Sequence, residues 1–143
     1  MNTEIFLYGG PLLLACLLSI LSSYIVMKKE RTQTTFWFSL MMITIFVWSF
    51  FYALEIMLYD KGLTLLFGKL KYIGIVFLPV TWCFFSLSYS RKDFFISKGK
   101  ILGISFIPLI NLSLIFSNSL HHLFWISTSF TGNDSLLIVS AQR

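Results

Sequence analysis

Two groups of residues in this sequence have side chains that could do chemistry. The first is the histidine pair His121 and His122, within the segment NSLHHLFW at residues 118–125. The second is an acid and a base, Glu55 and Lys69, which lie inside long apolar stretches. Paired imidazoles suit metal binding, proton transfer or pH sensing. A charge in an apolar stretch is typical of a binding site or an ion pair.

The surroundings of the histidines argue against a metal centre and against catalysis. Adjacent residues on a helix point to different faces, and no third cysteine, histidine or nearby carboxylate completes a metal-ligand set. No recognisable nucleophile motif brings a serine or cysteine beside them. Cys16 and Cys83 lie in separate apolar runs, where a free thiol packs as a small hydrophobic group. The sequence therefore predicts no enzyme, no metal and no cofactor. A pH sensor and an interfacial anchor remain open for the pair.

The composition indicates which kind of element positions these residues. The 143 residues are 57% apolar, 18% aromatic and only 12% charged, whereas a soluble globular chain is about 25% charged. The net charge of +5 is not a nucleic-acid signature, because most basic residues fall in short gaps between apolar runs. We expect the lipid bilayer as a partner, and no nucleic acid.

Four apolar runs are long enough to cross a bilayer, which takes about 20 residues per helix. They predict an all-α integral membrane protein with transmembrane helices over residues 5–27, 36–59, 63–89 and 101–117. Residues 118–143 contain only the brief apolar run LLIV and are predicted to form an extracytoplasmic tail.

The basic residues predict the orientation of these helices. One cluster follows the first span and another follows the third. The positive-inside rule places both clusters in the cytoplasm, so the N-terminus and the C-terminal tail are expected outside. The residues are Lys28, Lys29, Arg31, Arg91, Lys92, Lys98 and Lys100.

Glu55 and Lys69 are predicted to lie near the outer ends of the second and third spans. Glu55 comes about 6 Å before the end of its span at 1.5 Å per residue. An acid at the bilayer centre costs about 2.5–3.5 kcal/mol, and less near the interface, so a partner is expected. Three interpretations remain open: an outward-facing ligand pocket that includes Glu55, an ion pair between Glu55 and Lys69 that links the two helices, or two side chains that snorkel separately to the interface.

Further patterns concern helix packing. Trp48 and Trp82 lie deep in their spans and are predicted to pack between helices. Gly99 and Gly103 have the small-xxx-small spacing of close helix contacts. Pro79 interrupts the hydrogen bonding of the third span, which predicts either a hinge or only a packing shape.

Five aromatic residues lie near the predicted span boundaries, where amphipathic rings are stable. They are Trp37, Tyr59, Tyr72, Tyr89 and Trp125.

The order of these features resembles the N-terminal seven-helix sensor module of bacterial membrane histidine kinases, which also precedes some diguanylate cyclases. The likeness rests on ALE at residues 53–55, on GKLKYIGIVFLPVTWCFFSLSYS at residues 68–90 and on NSLHHLFW, and it extends over about residues 5–139. It implies a signal-input region in the bacterial plasma membrane, facing an extracytoplasmic or membrane-borne ligand. The candidate ligand-binding residues are Glu55, Lys69, Tyr72, His121, His122 and Trp125.

The chain departs from that module at its C-terminal end. Its sequence reaches Arg143 without the family's GP-F-W stretch, three further helices and a cytoplasmic enzyme. We therefore expect a truncated module without a kinase domain, in which ligand contact near the outer ends of spans two to four shifts the helices. The alternative is a small integral-membrane interaction protein that packs against a separate partner and modulates it. A homo-oligomer also remains open.

Overall fold

Long apolar helices make up most of the protein, which is described by a computed structural model. Among the described residues, each of four helices is long and apolar enough to cross a membrane, and this confirms the prediction of an integral membrane protein built on transmembrane helices. The residues that the structure describes are 3–29, 31–58, 60–92, 94, 96–118, 127–131 and 138–142. The helices are α1 (Thr3–Lys29), α2 (Gln33–Met57), α3 (Lys61–Tyr89) and α4 (Lys98–Phe116).

Polar caps set where three of the helices begin. In front of α2, the Thr35 amide donates to the Thr32 hydroxyl at 3.2 Å, and the Thr32 amide donates to the Thr35 hydroxyl at 2.8 Å. The Asp60 carboxylate accepts from the Leu63 amide at 2.8 Å before α3, and Ser97 caps α4. These side chains satisfy amides that have no partner inside the helix. The helices therefore start a few residues before the apolar spans.

The C-terminal end of α3 closes in a Schellman motif. The Lys92 amide donates to the Leu87 carbonyl and the Arg91 amide to the Ser88 carbonyl, each at 3.0 Å. Arg91 adopts a φ of 54°, the left-handed conformation that this motif requires and that glycine adopts most readily. The basic cluster after α3 therefore begins at a residue whose backbone conformation is unfavourable for a side chain.

α2 lies at the centre of the helical packing, because it contacts both α1 and α3, whereas α4 contacts α3. Small α3 residues recur every seven positions on the face toward α2, and Gly74, Thr81 and Ser88 are all buried. A seven-residue repeat keeps one face of a helix against its neighbour. We call this contact the α2–α3 seam, and its pairs are Glu55–Lys71, Trp48–Gly74, Thr44–Thr81 and Thr34–Ser88.

The tryptophans do not all lie where the sequence predicts them. Trp48 is 37% exposed, and its atoms nearest to Gly74 are its backbone amide nitrogen and Cβ rather than its ring. Trp82 is 58% exposed, so the prediction that it packs between helices is wrong for the described residues. Trp37, near a predicted boundary, is buried and stacks on Phe84 with ring centroids 4.7 Å apart. Position along a span therefore does not decide which ring is buried.

The tail contains a short antiparallel pair of strands that the sequence did not predict. β1 (Ser127–Thr131) pairs with β2 (Ile138–Gln142), and Thr131 lies opposite Ile138. The second strand begins inside the LLIV run, which is too short to cross a bilayer but long enough for a strand.

Candidate functional site

A partly buried ion pair joins the last turn of α2 to α3. The Lys71 ammonium lies 2.5 Å from the Glu55 carboxylate. Glu55 belongs to the last turn of α2 and is only 7% exposed. The charges of the pair cancel, which lowers the free-energy cost of placing either group in an apolar surrounding.

The lysine of this pair is Lys71, so the structure does not show the pairing of Glu55 with Lys69, which was one of the three interpretations left open by the sequence. Two residues of separation turn a helix by about 200°, and Lys69 forms no ion pair with any described residue. Helical side chains also lean toward the N-terminus of their helix. In an antiparallel hairpin, Lys71 therefore leans toward the turn while Glu55 leans away from it, and the two side chains meet.

Gly68 and Tyr52 complete the surroundings of the pair. A Cβ atom at Gly68 would lie 3.2 Å from a Glu55 carboxylate oxygen, so glycine leaves the room in which the carboxylate sits. The Lys71 ammonium lies 4.7 Å from the centre of the Tyr52 ring, a favourable distance for a cation–π interaction. The ammonium is thus held between a carboxylate and an aromatic face.

The depth of Lys71 explains why it needs these partners. α3 has 29 residues, and Lys71 lies four positions from its midpoint, Ile75, or about 6 Å along the axis. A lone lysine near the centre of a transmembrane helix costs about 2.5–3.5 kcal/mol. The side chain reaches back toward the turn, where Glu55 neutralises it.

The remaining predicted ligand residues are only partly covered by the described structure. Tyr72 is next to Lys71 and close enough to Glu55 to interact with it electrostatically. His121, His122 and Trp125 lie outside the described residues. Of the predicted ligand residues, the structure therefore brings Tyr72 near Glu55, and it shows Lys71 as a further member of the site. Ligand binding by His121, His122 and Trp125 stays a prediction.

Sequence reasoning missed Lys71, Tyr52 and Gly68 as parts of one site. One signal was present: Gly68 and Lys71 are three residues apart and therefore share a helix face. Tyr52 is three residues before Glu55 on α2, so these two also share a face. If the α3 face of Gly68 packs against the α2 face of Tyr52 and Glu55, the lysine beside Glu55 is Lys71 and not Lys69.

The site has the chemistry of charge recognition. Within the described residues, no cluster of three or more histidine, cysteine or acidic side chains is arranged to hold a metal ion. The ion pair offers a carboxylate to a cation or an ammonium to an anion, provided that the ligand replaces the partner already present.

A family model described as the N-terminal 7TM region of histidine kinase matches residues 11–143. The chain belongs to this family. The match covers the whole ion-pair site and the NSLHHLFW segment, and it confirms the resemblance found in the sequence. Neither a curated protein nor a solved structure gives a significant match.

Membership in the histidine kinase 7TM family indicates which part of a kinase the chain corresponds to. The family is the membrane input region of a kinase and not its catalytic domain. Its description names seven transmembrane helices, and the described part of this chain contains four helices able to span a membrane. The chain is thus a membrane protein of a sensory type, in contact with the lipid bilayer.

Proposed function

We propose that the chain acts as a signal-input region in the bacterial plasma membrane, with its ligand-responsive part near the α2–α3 turn. The family match supports a sensory role. The observation that carries the site is the Glu55–Lys71 pair, in which Glu55 is buried in the last turn of α2. In the orientation that the positive-inside rule predicts, this end faces outward.

The pair links ligand contact to helix movement in this proposal. A ligand that displaces either charge leaves the other unpaired, which costs about 3–5 kcal/mol in fully buried pairs and less here, because the Lys71 side chain is 19% exposed. A shift of α3 relative to α2 relieves that cost by letting the freed side chain reach a more polar region. The α2–α3 seam then carries the shift along both helices to their other ends.

A pair of lysine variants tests this function. Lys71→Met removes the buried charge and keeps the length of the side chain, whereas Lys69→Met removes a charge outside the ion pair. Both are introduced at the chromosomal gene, and transcript profiles are compared with the wild type and a deletion strain. Lys71→Met is expected to change the transcripts that the deletion changes, and Lys69→Met to leave them as in the wild type.

A second comparison separates signalling from folding. The double variant Glu55→Met with Lys71→Met removes both charges and leaves neither unpaired, so its membrane abundance should return close to the wild-type level. Its transcript profile should stay altered. A deletion that changes no transcripts under any growth condition would refute the sensory role. A deletion effect without a Lys71→Met effect would refute only the site.

The interaction-protein alternative places the exposed apolar face of α4 against the separate partner. Leu102 and Phe106 are 72% and 61% exposed, and their four-residue spacing forms one apolar ridge. A photoreactive amino acid at Phe106 would crosslink to a separate membrane protein in cells if that ridge packs against a partner. Crosslinks to lipid alone would leave the ridge as a bilayer-facing surface.

A further inference from the structure

A cleft between α3 and α4 is lined by two prolines and one amide. Its volume is about 300 Å³, at the lower end of the range for small-molecule sites, about 300–1,000 Å³. It lies away from the Glu55–Lys71 pair. The lining includes Val76, Pro79 and Val80 of α3 and Ile104, Pro108 and Asn111 of α4.

The cleft lies at the middle of both helices. Val76 follows the α3 midpoint by one residue, and Pro108 follows the α4 midpoint, Ile107, by one residue. The centres of helices that span a bilayer lie in its hydrocarbon layer. Whatever fills the cleft therefore enters from the lipid and not from water.

Asn111 is the polar side chain of the cleft, and its amide makes no hydrogen bond to any other described residue. It is only partly exposed, about 6 Å along α4 from the midpoint at 1.5 Å per residue. A polar group in hydrocarbon without a hydrogen bond is unfavourable. The amide therefore indicates that a hydrogen-bonding group belongs in the cleft.

The rest of the lining, which includes Ile104 and Pro108, is apolar. This favours an occupant with a hydrocarbon body and a single polar group. A plain acyl chain offers no group to pair with Asn111.

We propose that the α3–α4 cleft binds a small membrane-dissolved molecule with a largely apolar body and one carbonyl group, to which the Asn111 amide donates a hydrogen bond. The proposal does not rest on the signalling role, because binding is measured without any output. It adds to the ion-pair region a second ligand position, reached through the lipid.

A photolabelling experiment on the full chain in lipid nanodiscs tests the site. Benzophenone is both a small apolar ketone and a photoprobe, and mass spectrometry locates the residues that it labels. Labelling should concentrate on residues 104–111, compared with the lipid-exposed Leu17 of α1, which is 70% exposed. Equal labelling of the lipid-facing residues of α1 and of the cleft would overturn the proposal.

Two competitors of matched shape test the hydrogen bond. Fluorenone carries a carbonyl, and fluorene has the same ring system without it. A neutral hydrogen bond corresponds to a difference of about two- to tenfold in the competing concentration, with fluorenone stronger. Equal competition by the two compounds in the wild type would contradict recognition through the amide.

Two α4 variants locate the preference. Asn111→Leu keeps the size of the side chain and should make fluorenone and fluorene equal. Ser113→Ala is the control, because the Ser113 hydroxyl already donates to the Leu109 carbonyl at 2.9 Å and lies outside the cleft lining. This control should keep the fluorenone preference. A preference that survives in Asn111→Leu would refute the assignment.

Discussion

Gly74 allows a close approach between α2 and α3, and Gly74→Ala tests the α2–α3 seam. A Cβ atom at this position would lie 2.5 Å from the Thr44 carbonyl oxygen and 2.6 Å from the Trp48 amide nitrogen. Both are backbone atoms, so no side-chain rotation relieves the clash. The helices would have to separate by about 1 Å to restore ordinary contact distances of about 3.5 Å.

The magnitude follows from two opposing terms. Overpacking a tight contact costs about 1–3 kcal/mol, whereas alanine in place of glycine within a helix stabilises by about 0.5–1 kcal/mol. We expect a net destabilisation of about 1–2 kcal/mol, or roughly a 5- to 30-fold shift in the unfolding equilibrium. Lys71 is three residues away, about 4.5 Å along the axis, so the separation should also lengthen the ion pair.

The assay is unfolding by SDS in mixed micelles, followed by tryptophan fluorescence. Gly103→Ala is the matched control, because a Cβ atom at Gly103 has no other described atom within 4 Å apart from its own helix. That variant should be neutral or stabilised by about 0.5–1 kcal/mol. Identical unfolding midpoints for Gly74→Ala and Gly103→Ala would refute the close approach of the two helices.

Three further variants address other parts of the fold. Arg91→Gly should stabilise the end of α3 by about 1 kcal/mol, since glycine adopts the left-handed φ without strain; the same SDS titration checks this, and a lower midpoint would contradict it. Trp37→Ala should cost about 3–5 kcal/mol because the ring is buried, whereas the exposed Trp82→Ala should cost under about 1 kcal/mol; equal losses would show that the two rings are equally buried. Cysteines at Lys61 and Lys98, in a background without the native thiols, should react with a membrane-impermeant maleimide on intact cells only at Lys61, as the positive-inside rule predicts; the reverse labelling would invert the topology.

The sequence predicted the number and kind of helices because a long apolar run that crosses a bilayer must satisfy its backbone hydrogen bonds internally, as a helix does. It predicted neither the face of each helix nor the contacts between them. Glu55 was recognised from its charge alone, but its partner depended on which α3 face meets α2. Lys71 was missed because the partner of Glu55 was chosen by its depth along the span. The rotation of the helix decides instead which lysine faces α2.

Glycine patterns show the same limit. The spaced pair Gly99 and Gly103 fits a known contact motif, yet both glycines have open space beside them with respect to the described residues. The close contact lies at Gly74, which has no such motif around it. Its role depends on Trp48 and Thr44, which lie on another helix and are therefore absent from any local pattern.

The Glu55–Lys71 pair also bears on how the chain enters the membrane during synthesis. If α2 and α3 partition into lipid one after the other, each carries an uncompensated charge into the hydrocarbon, at about 2.5–3.5 kcal/mol per residue at the helix centre. If they leave the translocon together as a preformed hairpin, the two charges enter already neutralised. Biogenesis as a hairpin therefore has the lower barrier, and the short connection between Met57 and Lys61 keeps the two helices close enough for it.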